Sequence, residues 1–296
     1  MTVALGCGNF GGVGSAPAFF GQGIAHDEAF AIMDRAWGAG ITWFDTGDAY
    51  GGGSSERWIG EWIRERGVTP KLTTKVFHST TGTPGDEGLA PERIHRQIRA
   101  SLERLGVGRV DYYLAHAQDQ AVPLVETVAC FELLREEGLI GAWGLSNYDV
   151  SEIRDAGPAL VQNSFSLLEQ ADSNDVLPLC RERGIPYVPF GPLAGGWLTG
   201  KYRRGEEYPE GSRMTQRPGG YAHFNNDRVF DSLDALADEA ASRGVSMAGL
   251  ALAWVMHRCD GVVCGPNRAA HLDSVLEAMQ IELTNEDVER IGGFFP

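Results

Sequence analysis

The stretch WFDTGDAYGGGSSERWIG, Trp43–Gly60, contains the most informative change of pattern in the chain. An apolar run predicted as a buried strand ends at residue 44, and Asp45, Asp48 and Tyr50 follow before a helix-like run begins near Ser54. Buried polar groups are costly unless they have partners or a chemical role. Their position at the end of a strand therefore needs an explanation from the rest of the chain.

A short apolar run followed by a longer amphipathic run recurs along the whole chain, which is typical of βα units around a parallel sheet. Strands are predicted over residues 3–6, 41–44, 71–76, 110–115, 140–145, 159–163, 186–190 and 261–264. Helices are predicted between them, for example over 91–105, 123–139 and 245–257. Eight units without a dividing linker predict one α/β domain over residues 1–296, a (β/α)8 TIM barrel, with a doubly wound sheet as the alternative.

The segment KYRRGEEYPEGSRMTQRPGGYAHFNND, residues 201–227, has no helical or strand period. Irregular segments of this length are uncommon unless they are functional or disordered. It follows the seventh predicted strand, so in a barrel it would lie as a long loop over the C-terminal face, where barrel active sites are built.

Charge and composition exclude several classes of function. A formal net charge of −15 disfavours nucleic acid and anionic membranes, so we expect a small-molecule ligand held by a local site. No apolar run approaches the length of a membrane span, and the N-terminus lacks a basic segment before an apolar one, which predicts a cytoplasmic protein. Five cysteines without a C-x-x-C pair predict reduced thiols, and no metal site is predicted.

One motif suggests a dinucleotide fold but lacks its context. GCGNFG, residues 6–11, satisfies G-x-G-x-x-G after a short strand, yet the following GVGSAPAFFGQG is too rich in glycine and proline for the helix that a Rossmann fingerprint requires. These glycines are better explained by a close approach of the backbone to a ligand.

Four ionisable side chains mark the ends of neighbouring predicted strands. Asp45 follows the second strand, Lys75 closes the third in LTTKVF, His116 closes the fourth in DYYLAH, and Tyr50 lies five residues beyond Asp45. In a barrel these groups would meet at one rim. A cationic Lys75 would lower the pKa of Tyr50, Asp45 would keep Lys75 charged, and a neutral His116 could donate to the same oxygen as Tyr50.

The chain resembles the aldo-keto reductase superfamily over essentially its whole length. The resemblance rests on FDTGDAYGGGSSERWIG, TTKV and DYYLAH, and downstream on GAWGLSNY and VPFGPLAGGWLTGKY. It implies a hydride-transfer enzyme in which Tyr50 is the general acid/base, His116 orients and polarises the substrate, and Lys75 and Asp45 tune Tyr50. Asp48 receives no catalytic role and is expected to cap the helix near Ser54 or to hydrogen-bond within the turn.

The resemblance also implies a nicotinamide dinucleotide. Ser146, Asn147 and Gln162 would meet the carboxamide and Phe190 would stack on the ring, whereas relatives more often have tyrosine there. The cofactor contacts implied in this way are Gly8, Asn9, Phe10, Asp45, Ser146, Asn147, Gln162, Phe190, Gly191, Pro192, Leu193, Gly195, Lys201, Gly265, Asn267, Arg268 and His271. Among Arg203, Arg204, Arg213 and Arg217, one is a candidate clamp over the pyrophosphate.

The sequence departs from the family at the end of the groove that would hold adenosine. Asn267 followed by Arg268 stands where a basic residue commonly contacts the 2′-phosphate, and Val275 where asparagine commonly meets adenine. Because Arg268 can still reach a phosphate, NADPH is the expected cofactor, with NADH possible. The substrate, an aldehyde, ketone or alcohol, is expected in a pocket near Phe10, Phe77, His78 and Tyr148, where Ala117 replaces a common tryptophan and opens one wall.

Other functions stay open at this point. The same residues suit a sugar or alcohol 1-dehydrogenase that uses NAD in the reverse direction, or a cofactor-sensing regulatory protein with little turnover. A lyase that uses Lys75 as a Schiff-base nucleophile needs a neutral lysine, which Asp45 disfavours. The resemblance favours a monomer over an oligomer.

Overall fold

The computed structural model describes residues 2–296, and a curved parallel sheet forms its centre. The strands are β1 (Thr2–Gly6), β2 (Trp43–Asp45), β3 (Lys71–Val76), β4 (Val110–Ala115), β5 (Ile140–Ser146), β6 (Val161–Gln162) and β7 (Gly261–Cys264). They run in the order β6-β5-β4-β3-β2-β1-β7, and every neighbouring pair is parallel.

Residues 186–190, here called the closing segment, fill the gap between β6 and β7. The Val188 N–H donates to the carbonyl of Val161 at 2.9 Å, and the Val263 N–H donates to the carbonyl of Pro189 at 2.8 Å. The segment was predicted as a regular strand, but Pro186 and Pro189 have no N–H to contribute to a ladder, so only isolated bridges form. The predicted (β/α)8 barrel is confirmed. The closing segment lies between β6 and β7 and completes the ring of eight.

Helices surround the barrel. They are α1 (His26–Gly38), α2 (Ser54–Arg66), α3 (Pro91–Leu105), α4 (Leu124–Glu136), α5 (Val150–Ala156), α6 (Val176–Arg183), α7 (Arg213–Gln216), α8 (Asp227–Arg243), α9 (Met247–Arg258), α10 (Leu272–Ala278) and α11 (Asn285–Gly292). The helix predicted over 91–105 is confirmed, with Pro91 at the first position, where a missing N–H costs nothing. The helix α9 is buried on nearly every side, as its continuous apolar sequence predicts.

The segment 201–227 is more ordered than its aperiodic sequence indicated. It contains α7 and two short 3-10 turns, Pro218–Gly220 and Ala222–Phe224. Its aromatic residues Tyr202, Tyr208 and Phe224 pack against the fully buried Trp197, with ring centroids 4.9 to 6.4 Å apart. This cluster holds the segment against the C-terminal end of the barrel, where a loop was predicted.

The barrel interior holds one layer of apolar side chains. They come from five of the strands or their immediate flanks and from the closing segment, and they are Ala4, Trp43, Leu114, Leu160, Val188 and Val263. Side chains along a strand alternate between the two faces, so the residue two positions further on also points inward, one level nearer the C-terminal rim. That second level consists of Gly6, Asp45, His116, Gln162, Phe190 and Gly265. The alternation therefore gathers polar groups at one end of the barrel.

Candidate active site

The side chains of Lys75 and Asp45 form a buried ion pair at this rim. The Lys75 ammonium donates to Oδ1 of Asp45 and to the carbonyl of Thr46, the latter at 2.8 Å. Nε2 of Gln162 donates to the other carboxylate oxygen of Asp45 at 2.9 Å. Burial works to lower the pKa of Lys75, but attraction to Asp45 and Tyr50 outweighs it and holds that pKa above its ordinary value. Lys75 is therefore a cation at neutral pH.

A tight glycine turn presents Tyr50 to the ion pair. Within Tyr50–Gly53 the backbone of Gly51 is left-handed, with φ 59°, and a Cβ on Gly51 would lie 2.5 Å from the carbonyl oxygen of Phe10. Only glycine fits such a left-handed position with no lateral space. The turn places the Tyr50 hydroxyl 3.2 Å from Nε2 of His116, and the Lys75 ammonium 5.2 Å from the Tyr50 ring centre.

The protonation states of Tyr50 and His116 follow from their burial. Burial raises the pKa of Tyr50 above its ordinary value, although Lys75 acts in the opposite direction. Lys75 does lower this pKa, as expected, but burial raises it by more, because the phenolate loses more hydration than one cation restores. Burial, Lys75 and His78 hold the pKa of His116 well below its ordinary value. At neutral pH Tyr50 is protonated and His116 is neutral.

A cavity of about 610 Å³ opens beside these groups and runs along the C-terminal rim. Of the residues predicted to contact a cofactor or substrate, it is lined by Gly8, Asn9, Asp45, Tyr50, Gln162, Phe190, Gly191, Pro192, Leu193, Gly195, Lys201, Gly265, Asn267 and His271. The structure thus brings most of the predicted residues into one groove, here called the rim groove.

Four of the residues predicted to contact the cofactor do not line the rim groove. Phe10 is fully buried in the large apolar core. Arg268 is exposed beside the groove. Ser146 is buried, and Asn147, in a left-handed conformation with φ 64°, donates to the carbonyl of His116 at 2.7 Å. The latter two lie next to the catalytic candidates without facing the cavity.

The residues predicted to line the substrate pocket lie only partly where they were expected. The rings of Phe77, His78 and His116 form a continuous row, with centroids 5.2 and 4.8 Å apart. Tyr148 is buried instead, and its hydroxyl donates to the carbonyl of Ala117 at 3.2 Å. It therefore supports the wall from behind.

Several lining residues were missed from the sequence: Gly6, Gly196, Thr199, Tyr221, Ser246, Ala248, Leu252, Val263, Cys264, Pro266 and Ser274. Ser246 is the N-cap of α9, and Ala248 and Leu252 lie within that helix, whose uniformly apolar sequence does not reveal which face meets a ligand. Cys264 is the last residue of β7, so the strand-end rule that found Lys75 would also have found it.

In the segment 201–227, Lys201, Arg213 and Tyr221 line the rim groove, and Arg213 also bonds to the residues that follow β1. Nη2 of Arg213 donates to Oδ1 of Asn9 at 2.6 Å, and Nδ2 of Asn9 donates to Oδ1 of Asn267 at 2.7 Å. Arg204 faces away and pairs with Asp227 and Asp231 of α8. Of the four clamp candidates, Arg213 is the one that lines the groove.

Asp48 differs from its expected role. The residue before α2 is Gly53, and no side chain caps that helix, so the predicted cap is wrong. Asp48 is fully buried, and within residues 2–296 neither carboxylate oxygen makes a hydrogen bond of normal geometry. Burial, and then the neighbouring Glu56, raise the pKa of Asp48 well above its ordinary value, against the pull of Arg93 and Arg104. Asp48 is therefore a buried acid two residues before Tyr50.

The rim groove suits an extended, phosphate-bearing ligand. The backbone at Gly195 leaves no room for a side chain, since it has φ 63° and an added Cβ would lie 2.7 Å from the ring of Tyr221. Lys201 and Arg213 supply cations along its middle. These features fit a dinucleotide. Across residues 2–296 no three metal-binding side chains cluster, and no helix is both long and apolar enough to cross a bilayer.

Fold and site together define a (β/α)8-barrel protein whose ionisable residues and ligand groove share the C-terminal rim. A family model described as the Aldo/keto reductase family matches residues 2–294, and the chain belongs to that family.

Individual relatives cover nearly the whole chain. A probable aldo-keto reductase 1 from Glycine max is 30% identical over 97% of this chain and 84% of its own length. An NADH-specific methylglyoxal reductase from Escherichia coli (strain K12) is 28% identical over 93% of this chain and 89% of its own. The solved structure of a glycerol dehydrogenase from Gluconobacter oxydans aligns with a TM-score of 0.85 at 24% identity, covering 99% of this chain and 90% of that one. The likeness to the glycerol dehydrogenase structure shows a shared fold.

Proposed function

We propose that this protein is an NAD(P)H-dependent oxidoreductase that reduces an aldehyde or ketone to the alcohol, with Tyr50 as general acid/base. The observation that carries the proposal is the approach of the Tyr50 hydroxyl to His116, 3.2 Å, beside the buried Lys75–Asp45 pair at the end of the rim groove. A bound reduced nicotinamide would supply the hydride. The protein's own side chains supply the proton and the electrostatic stabilisation.

Each of the four residues has a defined task in this proposal. As negative charge develops on the carbonyl oxygen, Tyr50 transfers its proton there, so its O–H bond breaks and that of the alcohol forms. Neutral His116 donates a hydrogen bond to the same oxygen. The Lys75 ammonium stabilises the resulting phenolate, which later regains a proton from solvent, and Asp45 keeps Lys75 charged.

The protonation of Tyr50 supports reduction over the reverse reaction. Its raised pKa leaves the phenol intact at neutral pH, which is the form that a proton donor needs. Oxidation of an alcohol begins with the phenolate, which burial disfavours. We therefore propose carbonyl reduction as the main direction, with an alcohol dehydrogenase as the alternative.

The proposed cofactor contacts divide along the groove. Lys201 and Arg213 would neutralise the pyrophosphate, and Gln162 would meet the nicotinamide amide, with Ser146 and Asn147 behind that end of the groove. The substrate would lie against Phe77 and His78. The name of the methylglyoxal reductase relative supports small reactive aldehydes as first test compounds.

The test follows absorbance at the reduced-nicotinamide band during incubation with NADPH or NADH and a panel of aliphatic and aromatic aldehydes and ketones. The expected result is oxidation of the reduced nicotinamide that depends on the carbonyl substrate. Saturable cofactor binding without turnover of any carbonyl or alcohol would instead favour the alternative of a cofactor-sensing regulatory protein.

A cytoplasmic location and a monomeric state are further parts of the proposal.

A further inference from the structure

The side-chain amide of Asn163 is buried behind the turn that follows β5. Its Oδ1 accepts the backbone N–H of Asn147 at 2.8 Å and that of Tyr148 at 3.2 Å, and its Nδ2 donates to the carbonyl of Tyr148 at 2.9 Å. The same Nδ2 donates to Oδ2 of Asp172 at 2.8 Å, an oxygen that also accepts the Tyr187 hydroxyl at 2.8 Å. All four hydrogen-bonding positions of the amide are thus occupied. The amide joins the turn after β5 to a carboxylate that the closing segment also holds.

These bonds support an unusual backbone conformation at Asn147. Its φ is 64°, in the left-handed region, which among residues 2–296 only one other non-glycine residue, Ala194, shares. Side chains disfavour this region, and it persists where the surrounding structure over-determines it. The two N–H groups that Asn163 binds belong to the peptide planes on either side of the Asn147 Cα. The buried amide therefore fixes the left-handed turn.

The left-handed turn directs the Asn147 side chain to the end of β4. Its Nδ2 donates to the carbonyl of His116 at 2.7 Å and to Oγ of Ser146 at 3.1 Å. On the opposite side, the backbone N–H of His116 donates to the carbonyl of Val76 at 2.9 Å. Both backbone polar groups of His116 are thus held, one from β3 and one from the turn after β5.

The orientation of the His116 ring depends on this backbone anchor. A histidine ring is often oriented by a hydrogen bond at the nitrogen that does not take part in the chemistry. Within residues 2–296 the buried Nδ1 of His116 has no such partner, whereas Nε2 faces the Tyr50 hydroxyl. The ring of His78 packs against one side, with centroids 4.8 Å apart. The position of the backbone therefore decides where Nε2 points.

We propose that Asn163 is a positioning residue that acts through Asn147 to hold the His116 ring at the reacting carbonyl oxygen; the inference rests on the function proposed above. Without the amide, the peptide planes beside Asn147 leave the left-handed region and the bond to the His116 carbonyl breaks. A hydrogen-bond donor stabilises developing negative charge only when it already lies at the position that the oxyanion will occupy. The loss should therefore appear in turnover.

The test measures kcat, KM and the dissociation constant of the cofactor for Asn163→Ala and Asn147→Gly in the full chain. Each variant should lower kcat about 10- to 100-fold and change the dissociation constant by less than about threefold, since Lys201 and Arg213 are untouched. Asn147→Gly adopts the left-handed turn without cost and loses only the side chain, so it tests the same link if Asn163→Ala does not fold.

Asn226→Ala is the matched control for the loss of a structural amide. The Asn226 amide also bonds backbone on both sides, accepting the Val229 N–H at 3.1 Å and donating to the His223 carbonyl at 2.9 Å, but it does so at the start of α8. Its replacement removes a helix cap and should lower stability while leaving kcat within about twofold.

A second background shows whether Asn163 acts through His116. If it does, Asn163→Ala should change the residual kcat of His116→Ala by less than about twofold, because the ring to be positioned is gone. The same fractional loss in both backgrounds would mean that Asn163 acts elsewhere and would overturn the inference.

The outcomes separate this inference from the proposed function. Unchanged kcat in Asn163→Ala and Asn147→Gly would overturn the positioning role and leave the oxidoreductase proposal standing. A loss confined to cofactor binding would overturn it as well, since His116 would then be in place. Absence of turnover in wild type would overturn the proposed function and the inference with it.

Discussion

The Tyr50 hydroxyl lies 3.2 Å from Nε2 of His116, although 66 positions separate the two residues in the chain. One side chain comes from the turn after β2 and the other from the residue that follows β4. Since Tyr50 is protonated and His116 is neutral, each can offer one hydrogen to an oxygen placed between them. This pair is the geometric basis of the proposed reduction.

Replacement of Tyr50 by phenylalanine should abolish proton donation without removing the ring. We expect turnover to fall by about a hundredfold or more, while the dissociation constant of the cofactor changes by less than about twofold. Tyr148→Phe is the matched control, since its hydroxyl bonds the carbonyl of Ala117 outside the cavity. Steady-state kinetics and fluorescence binding measure the two effects. Full turnover in Tyr50→Phe would exclude Tyr50 as the acid.

Breaking the Lys75–Asp45 pair from either side should destabilise the fold. Lys75→Met leaves Asp45 buried beside Gln162 alone, and Asp45→Asn leaves a buried ammonium, so each should lower the free energy of unfolding by about 3–5 kcal/mol. The double variant should recover much of that loss but stay inactive, because Tyr50 then lacks its cation. Urea unfolding tests this, and simply additive losses would show that the two charges are not coupled.

Asp48 should make the protein less stable as pH rises. Because its folded pKa is raised, its stabilising contribution is complete below the unfolded pKa of about 4 and is lost as pH rises through the folded pKa. Relative to Asp48→Asn, wild type should lose up to about 1.4 kcal/mol per pH unit as the pH rises from the unfolded pKa of about 4 towards the raised folded pKa. Urea midpoints at several pH values give the comparison, with the exposed Asp27→Asn as control. Parallel curves for wild type and Asp48→Asn would contradict the prediction.

Removal of the Arg213 side chain should weaken the retention of the cofactor in the rim groove. Its bond to Asn9 joins the segment 201–227 to the rim, so Arg213→Ala should speed cofactor release about tenfold, as measured by stopped-flow fluorescence. Arg204→Ala is the control, because that guanidinium pairs with α8 away from the groove. If both variants release the cofactor at the same rate, the Arg213 contact does not retain it.

Much of the fold could be predicted because each βα unit carries its own periodic signal. Lys75 and His116 could be found at strand ends, since parallel strands in a barrel end at the same rim. The closing segment was misassigned in detail because two prolines interrupt its ladder. The α9 residues that line the groove were missed, since a helix that is apolar all round does not reveal which face meets a ligand.

The sequence by itself determined the order of strands and helices, the polar residues that follow each strand, and the family. Tertiary structure alone decided that Phe10 turns into the core, that burial outweighs Lys75 at Tyr50, and that the amide of Asn163 reaches the turn at Asn147. The physical reason is that periodicity and turn chemistry act between near neighbours in the chain. Desolvation and charge pairing depend on groups that come together only when the barrel closes.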